Sequence, residues 1–198
     1  AKLMGERLIT AANNAHNNTN IVFSSCRFGN VLGSRGSVIP IFKQQISDGG
    51  PVTITDNRMT RFIMSIEESV RLVIESVSLA KGGEVFITKM PVINIVDLAE
   101  VMIDYLAARK GFDPNRVEVK YIGAKSGEKL YEELMNIEET RRSIELKDYF
   151  VVAPALRNVY RNVEYSYSVE ISRKVSRPFI SSEVEPMEKR DLLQFLLR

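Results

Sequence analysis

Short apolar runs and helical periods take turns along the first 135 residues, and this alternation constrains the fold more than any other feature. Leu3, Leu8, Ile9 and Ala12 keep helical spacing until a polar run at 13–20. Ile21-Val22-Phe23 then predicts a buried strand ending at Ser24 or soon after. Ser37 is placed to cap a helix through Ile46, closed by Asp48-Gly49-Gly50, and PVTIT at 51–55 alternates as a strand. Ser65-Ile66-Glu67-Glu68 opens a helix to about Ala80, with its acidic residues favoured in the first turn. Lys81-Gly82-Gly83 stops it, and EVFIT at 84–88 reads as the next strand. Asn94 caps a helix ending near Gly111, 117–122 is a strand, and 129–135 reads as a short helix. Past Glu138 the pattern weakens: 138–142 is a charge run, 164–169 a polar, tyrosine-containing strand or loop, and 191–197 a closing helix. This βαβα order with short connections predicts an α/β fold with a mostly parallel sheet.

The chain has 198 residues, enough for one sizeable domain or for one lobe and part of a second. Its 27 basic and 25 acidic residues give a net charge of +2, so a broad nucleic-acid or membrane footprint is not expected. One cysteine excludes an internal disulfide and fits a reducing, cytoplasmic compartment. No apolar run approaches the ~20 residues that span a bilayer. No His/Cys/Asp cluster has metal-ligand spacing, so no metal is expected. The start has neither an initiator Met nor a signal-peptide pattern and reads as the continuation of a longer protein.

The stretch CRFGNVLGSRGSVIPIF at 26–42 holds glycines, arginines and an asparagine between apolar runs. In an α/β sheet, ligands sit beyond the carboxyl ends of strands, where this stretch falls. Arg27, Asn30 and Arg35 would border a crevice, with Gly29, Gly33 and Gly36 allowing close backbone approach or positive φ. A glycine-rich connector carrying solvated arginines is the competing reading. His16 falls in a polar helix end and is expected in solvent, Cys26 is expected as small buried filler, and Met59, Met64 and Met102 as core.

Four blocks, RFGNVLGSRGSVIPIF, PVTITDNRMTRFIMSIEESVRLV, GGEVFITKMPVINIVDLAEVM and GEKLYEEL, occur in an order and spacing that resemble the extended short-chain dehydrogenase/reductases. Within them, the similarity is to the polysaccharide-biosynthesis branch of UDP-N-acetylglucosamine 4,6-dehydratases, over about residues 2–135. The resemblance implies the second half of a Rossmann-like parallel sheet plus a smaller substrate-binding α/β domain. It assigns 1–36 and 62–90 to the Rossmann-like part and 37–61 and 91–140 to the substrate part, leaving 141–198 as an extension of uncertain structure. Lys2 would be the lysine of the Tyr-x-x-x-Lys motif, its tyrosine two positions before Ala1, and both a catalytic and a cofactor-binding group. The Asp-Lys pair that serves the elimination in this family would also precede the chain.

Further roles follow from the same resemblance. Ser25 and Arg27 would border the nicotinamide of NAD or NADP. Asn30, Arg35, Arg61, Lys125 and Glu128 would hold the UDP-sugar, with Asn30 on the diphosphate, Arg61 on a phosphate and Glu128 on ribose hydroxyls. Where relatives have Arg-Pro-Gly-Glu-Lys, this chain has Lys125-Ser126-Gly127-Glu128-Lys129, and a lysine lacks the bidentate fork. Its contact would be weaker, or shared with Arg58 or Arg61. The implied activity is a cytoplasmic nucleotide-sugar dehydratase of surface-polysaccharide biosynthesis, homo-oligomeric at full length, with no nucleic-acid partner and no membrane span. These 198 residues alone, without the cofactor turn, are expected to be inactive. A UDP-hexose 4-epimerase and a non-catalytic sugar-nucleotide-binding module are the alternatives.

Overall fold

The computed structural model describes residues 2–15, 21–34, 36–124, 127–155 and 163–197. In chain order they form α1 (Lys2–Ala15), β1 (Ser25–Arg27), β2 (Asn30–Val31), α2 (Val38–Ser47), β3 (Val52–Ile54), β4 (Thr60–Met64), α3 (Ile66–Leu79) and β5 (Val85–Thr88). There follow β6 (Val92–Asn94), α4 (Ile95–Arg109), β7 (Val119–Tyr121), β8 (Glu133–Met135), α5 (Ile137–Thr140), β9 (Ser143–Leu146) and β10 (Tyr149–Val152). The last elements are β11 (Glu170–Ser172), β12 (Phe179–Ile180) and α6 (Lys189–Leu196). The chain is α/β, as expected, and divides into two compact units. The first takes residues 1–28, 67–89 and 133–179, the second 29–66, 90–132 and 180–198.

The first unit is built on a five-stranded sheet in the order β1-β5-β10-β9-β11. Its β1/β5 pair is parallel, Ser25 opposite Val85 and Arg27 opposite Ile87, and the remaining pairs are antiparallel. Leu72 of α3, Phe86 of β5 and Ile144, Leu146, Tyr149 and Val151 of the β9/β10 hairpin form its core. Burying each such side chain stabilises by about 1.5–3 kcal/mol, which is what holds α3 to the sheet. The turn from α3 into β5 closes on Glu84, a fully buried carboxylate that accepts from the backbone N–H groups of Lys81 and Gly82. Burial pushes its carboxyl up, and those N–H groups pull against the rise.

The second unit pairs β2 with β4 in parallel and β4 with β6 antiparallel, while β3 pairs with β7 in parallel. Phe42 and Ile46 of α2, Val52 and Ile54 of β3, Ile63, Ile93, Leu98 and Ala99 pack with Leu192 of α6. α4 starts where Asn94 accepts the Val96 N–H at 2.9 Å, as the capping rule requires.

Two local expectations change. The apolar run at 21–23 is not the strand: Ile21 and Val22 are about half exposed and the ladder begins at Ser25. Residues 60–64 and 92–94, to which the sequence pattern assigned no element, are also strands. Residues 129–135 form no helix; their backbone bends at 130–131 and enters β8, because its groups bond elsewhere. The Leu130 carbonyl accepts from Thr60 N at 3.0 Å, and Arg61 takes the carbonyls of Lys129 and Leu130.

Candidate functional site

The second unit contains a cleft of about 280 Å³. Leu32, Val38, Ile54 and Ile93 give it apolar walls, and its polar lining includes Asn30, Ser37, Thr53, Thr55, Arg61 and Glu128. Three residues of the predicted site, Asn30, Arg61 and Glu128, are therefore brought to one cavity. Arg35 and Lys125, also predicted there, lie outside the described residues, as does His16.

β4 carries Arg61 into the cleft. Nη1 donates to the carbonyls of Thr60 at 2.7 Å and Leu130 at 3.2 Å, and Nη2 donates to the carbonyl of Lys129 at 2.7 Å. Among the described residues these bonds engage three of the five guanidinium N–H groups, leaving Nε–H and one Nη2–H. That pair is the planar fork that meets an oxyanion in bidentate fashion. Arg58 is not available in the same way. Its Nε and Nη2 hold Asp56 at 3.0 and 2.8 Å, and those bonds draw the Asp56 carboxyl down to about 2. Glu128 accepts from the Thr55 hydroxyl at 3.4 Å.

Asn30 sits on β2 with both amide hydrogens committed. Nδ2 donates to the Phe62 carbonyl at 3.2 Å and to Glu132 Oε1 at 2.9 Å, and Glu132 Oε2 accepts from Phe62 N at 2.9 Å. Glu132 is itself fixed by Ser181, which is wholly buried: Ser181 Oγ accepts the Glu132 N–H at 2.9 Å and lies 2.8 Å from Thr60 Oγ1. Just before β2, Gly29 lies against β4 so closely that an added Cβ would meet Phe62 Cβ at 2.6 Å and the Phe62 carbonyl oxygen at 2.8 Å. This glycine serves strand-to-strand approach, not the ligand approach or positive φ expected of it. Gly33 and Gly36 do take positive φ, 73° and 76°, with open space around each. Ser37 stands at the α2 N-cap but makes no capping bond, and its Oγ is buried without a protein partner among the described residues.

The first unit holds Lys2, Ser25 and Arg27. Lys2 is exposed in the first turn of α1. Arg27 is fully engaged: Nε and Nη2 reach Glu6, Nη1 and Nη2 reach Glu139 at 3.0 Å, and Nη1 also reaches the Leu134 carbonyl. Burial opposes its charge, but the Glu6 and Glu139 bonds outweigh that and push its pKa up. Cys26 is half-buried with Sγ 3.2 Å from Ser76 Oγ, and burial keeps it a thiol. Sequence reasoning missed Ser37 as a cleft group and Glu132 as a support. Nothing in the pattern of a Lys-Leu-Tyr-Glu-Glu run distinguishes a supporting carboxylate from a solvated one.

Among the described residues no group of three or more His, Cys, Asp or Glu side chains could hold a metal, and no helix is long and apolar enough to cross a membrane. The family described as "Polysaccharide biosynthesis protein" matches residues 1–154. An uncharacterized membrane protein of Methanocaldococcus jannaschii is 54% identical over 153 residues, 77% of this chain and 46% of its own length. The inverting UDP-N-acetylglucosamine 4,6-dehydratase of Campylobacter jejuni is 35% identical over 201 residues, 98% of this chain and 57% of its own length. Among solved structures, Pen from Bacillus thuringiensis matches with a TM-score of 0.87 and 39% identity over 99% of this chain and 55% of that one. The chain thus spans about half the length of the relatives it matches.

Proposed function

The chain belongs to the polysaccharide biosynthesis protein family, and from that premise we propose that it serves a nucleotide-sugar 4,6-dehydratase acting on a UDP-N-acetylglucosamine-type substrate. The observation that carries this reading is Arg61, a cation with two N–H groups unpartnered among the described residues, in a cleft that also offers a carboxylate and hydroxyls. A diphosphate needs such a fork, and a ribose diol needs an acceptor such as Glu128. Arg35 and Lys125 would add positive charge for the same diphosphate.

The first unit's part concerns NAD or NADP. The side chains of Lys2 and Ser25 make no hydrogen bond to other described residues, although the Ser25 N–H donates to the Glu84 carbonyl at 3.1 Å, so both side chains fit a role at the nicotinamide end. Arg27 does not fit as a cofactor donor, because every N–H it has is taken; we assign it the anchoring of α1 instead. The bound nicotinamide would supply the acceptor for hydride from C4 of the hexose and the donor that returns it to C6. Between those transfers water leaves across C5 and C6, giving a 4-keto-6-deoxy sugar nucleotide. The Lys2 ammonium would favour a neighbouring phenolate and donate to ribose hydroxyls. Arg61 and Glu128 would hold the UDP through both transfers.

Incubating the full-length protein with UDP-N-acetylglucosamine and NAD or NADP tests the proposal. The expected product has lost one water and carries a C4 carbonyl. An epimerised hexose with no loss of water would replace this reading by a UDP-hexose 4-epimerase, and binding without turnover would reduce it to a binding module.

A further inference from the structure

The amide of Asn30 has only one orientation compatible with its surroundings, and that fixes what it can offer a ligand. Its two partners, the Phe62 carbonyl at 3.2 Å and the Glu132 carboxylate at 2.9 Å, are acceptors. Turning the amide over would set a carbonyl against a carbonyl and a carboxylate, losing two hydrogen bonds and adding two repulsions. Glu132 cannot rotate to relieve this. Its other oxygen accepts Phe62 N at 2.9 Å, and its backbone is bonded in both directions to buried Ser181, N–H to Oγ at 2.9 Å and carbonyl from N–H at 2.8 Å. The Asn30 group left for the cleft is therefore its carbonyl oxygen.

We infer that Asn30 accepts a hydrogen bond from a neutral donor on the ligand, a sugar hydroxyl or an acetamido N–H, and that Glu132 is the positioning residue that makes it an acceptor. An ionised phosphate has no proton to give, so the diphosphate belongs on the Arg61 fork and not on Asn30. This departs from the contact expected of Asn30 by resemblance. It rests on the cleft being a sugar-nucleotide site, as proposed above. The consequence is selectivity: bare phosphate gains nothing from Asn30, while a hydroxyl-bearing ligand does.

The test is calorimetric titration of the full-length protein with pyrophosphate, UDP and UDP-N-acetylglucosamine, for the unmodified protein, Asn30→Ala, Glu132→Gln and the double variant. Loss of one neutral hydrogen bond weakens binding about three- to tenfold. Asn30→Ala should weaken UDP-N-acetylglucosamine by that factor and leave pyrophosphate unchanged. If UDP weakens too, the donor is on the ribose; if UDP is unaffected, it is on the hexose, and both uphold the inference. A Gln at position 132 can donate to the Asn30 carbonyl and so turn the amide over. Glu132→Gln should then lose affinity as Asn30→Ala does, and the double variant should be within about twofold of either single one. Pyrophosphate and UDP-N-acetylglucosamine falling together in Asn30→Ala would overturn the acceptor assignment. Losses that add in the double variant would make Glu132 merely structural. An unmodified protein that binds none of the probes would overturn the sugar-nucleotide reading itself, and this inference with it.

Discussion

Replacing Arg27 by Met keeps the aliphatic stem and removes the five N–H groups that join α1, β1, β8 and α5 in the first unit. What remains is two carboxylates without their shared cation, Glu6 and Glu139, with side chains only 18% and 10% exposed. Deleting one partner of a buried ion pair costs about 3–5 kcal/mol, and the partial exposure of Glu6 and Arg27 lowers that to about 2–4 kcal/mol. The pH dependence gives the prediction its sign. Burial raises the Glu139 carboxyl, but the Arg27 bonds and the Asn136 N–H outweigh it, so its net position is below the usual carboxylate range. A depressed carboxyl contributes stability that is present above its unfolded value and lost as pH falls through its folded value. The stability gap between the unmodified protein and Arg27→Met should therefore be full at about pH 7 and should narrow on acidification, as the Glu139 carboxylate takes up a proton. Urea unfolding followed by circular dichroism at about pH 7 and about pH 3.5 measures it. A gap below about 1 kcal/mol at neutral pH, or one that does not change with acid, would refute the clamp.

Two glycines in the 26–42 stretch should respond differently. Gly29→Ala drives a Cβ into Phe62 and should destabilise the second unit by about 1–3 kcal/mol or more, read as a lower urea midpoint with an unchanged slope. Gly33→Val meets no atom but places a β-branched residue at φ 73°, which should cost about 1–2 kcal/mol, whereas Gly33→Asn should be nearly neutral in thermal melting.

The helices α2, α3 and α4 were readable because their apolar periods, and for α4 the Asn94 cap, are local signals. The missed elements depend on distant partners. Lys129-Leu130-Tyr131-Glu132 is rich in helix formers, yet Thr60, Arg61 and Phe62 bind its backbone carbonyls and its Glu132 carboxylate, and tertiary bonding outweighs a propensity of a few tenths of a kcal/mol per residue. β9 and β10 join through Lys147-Asp148, which carries none of the glycine or asparagine that marks a tight hairpin. The family blocks pointed to Asn30, Arg61 and Glu128, which the second unit gathers at one cleft. The sequence could not separate a guanidinium kept free from one already spent. Arg27 and Arg61 look alike there, and only their partners, two carboxylates and a carbonyl for one and three carbonyls for the other, tell them apart.

The central claim is that the Arg61 fork receives the diphosphate of a uridine sugar nucleotide, and titration of Arg61→Ala with UDP tests it most directly. A charged hydrogen bond is worth roughly 1.5–3 kcal/mol, so the variant should bind UDP about ten- to a hundredfold more weakly than the unmodified protein while NAD or NADP binding stays the same. UDP affinity that is unchanged in Arg61→Ala would contradict the account.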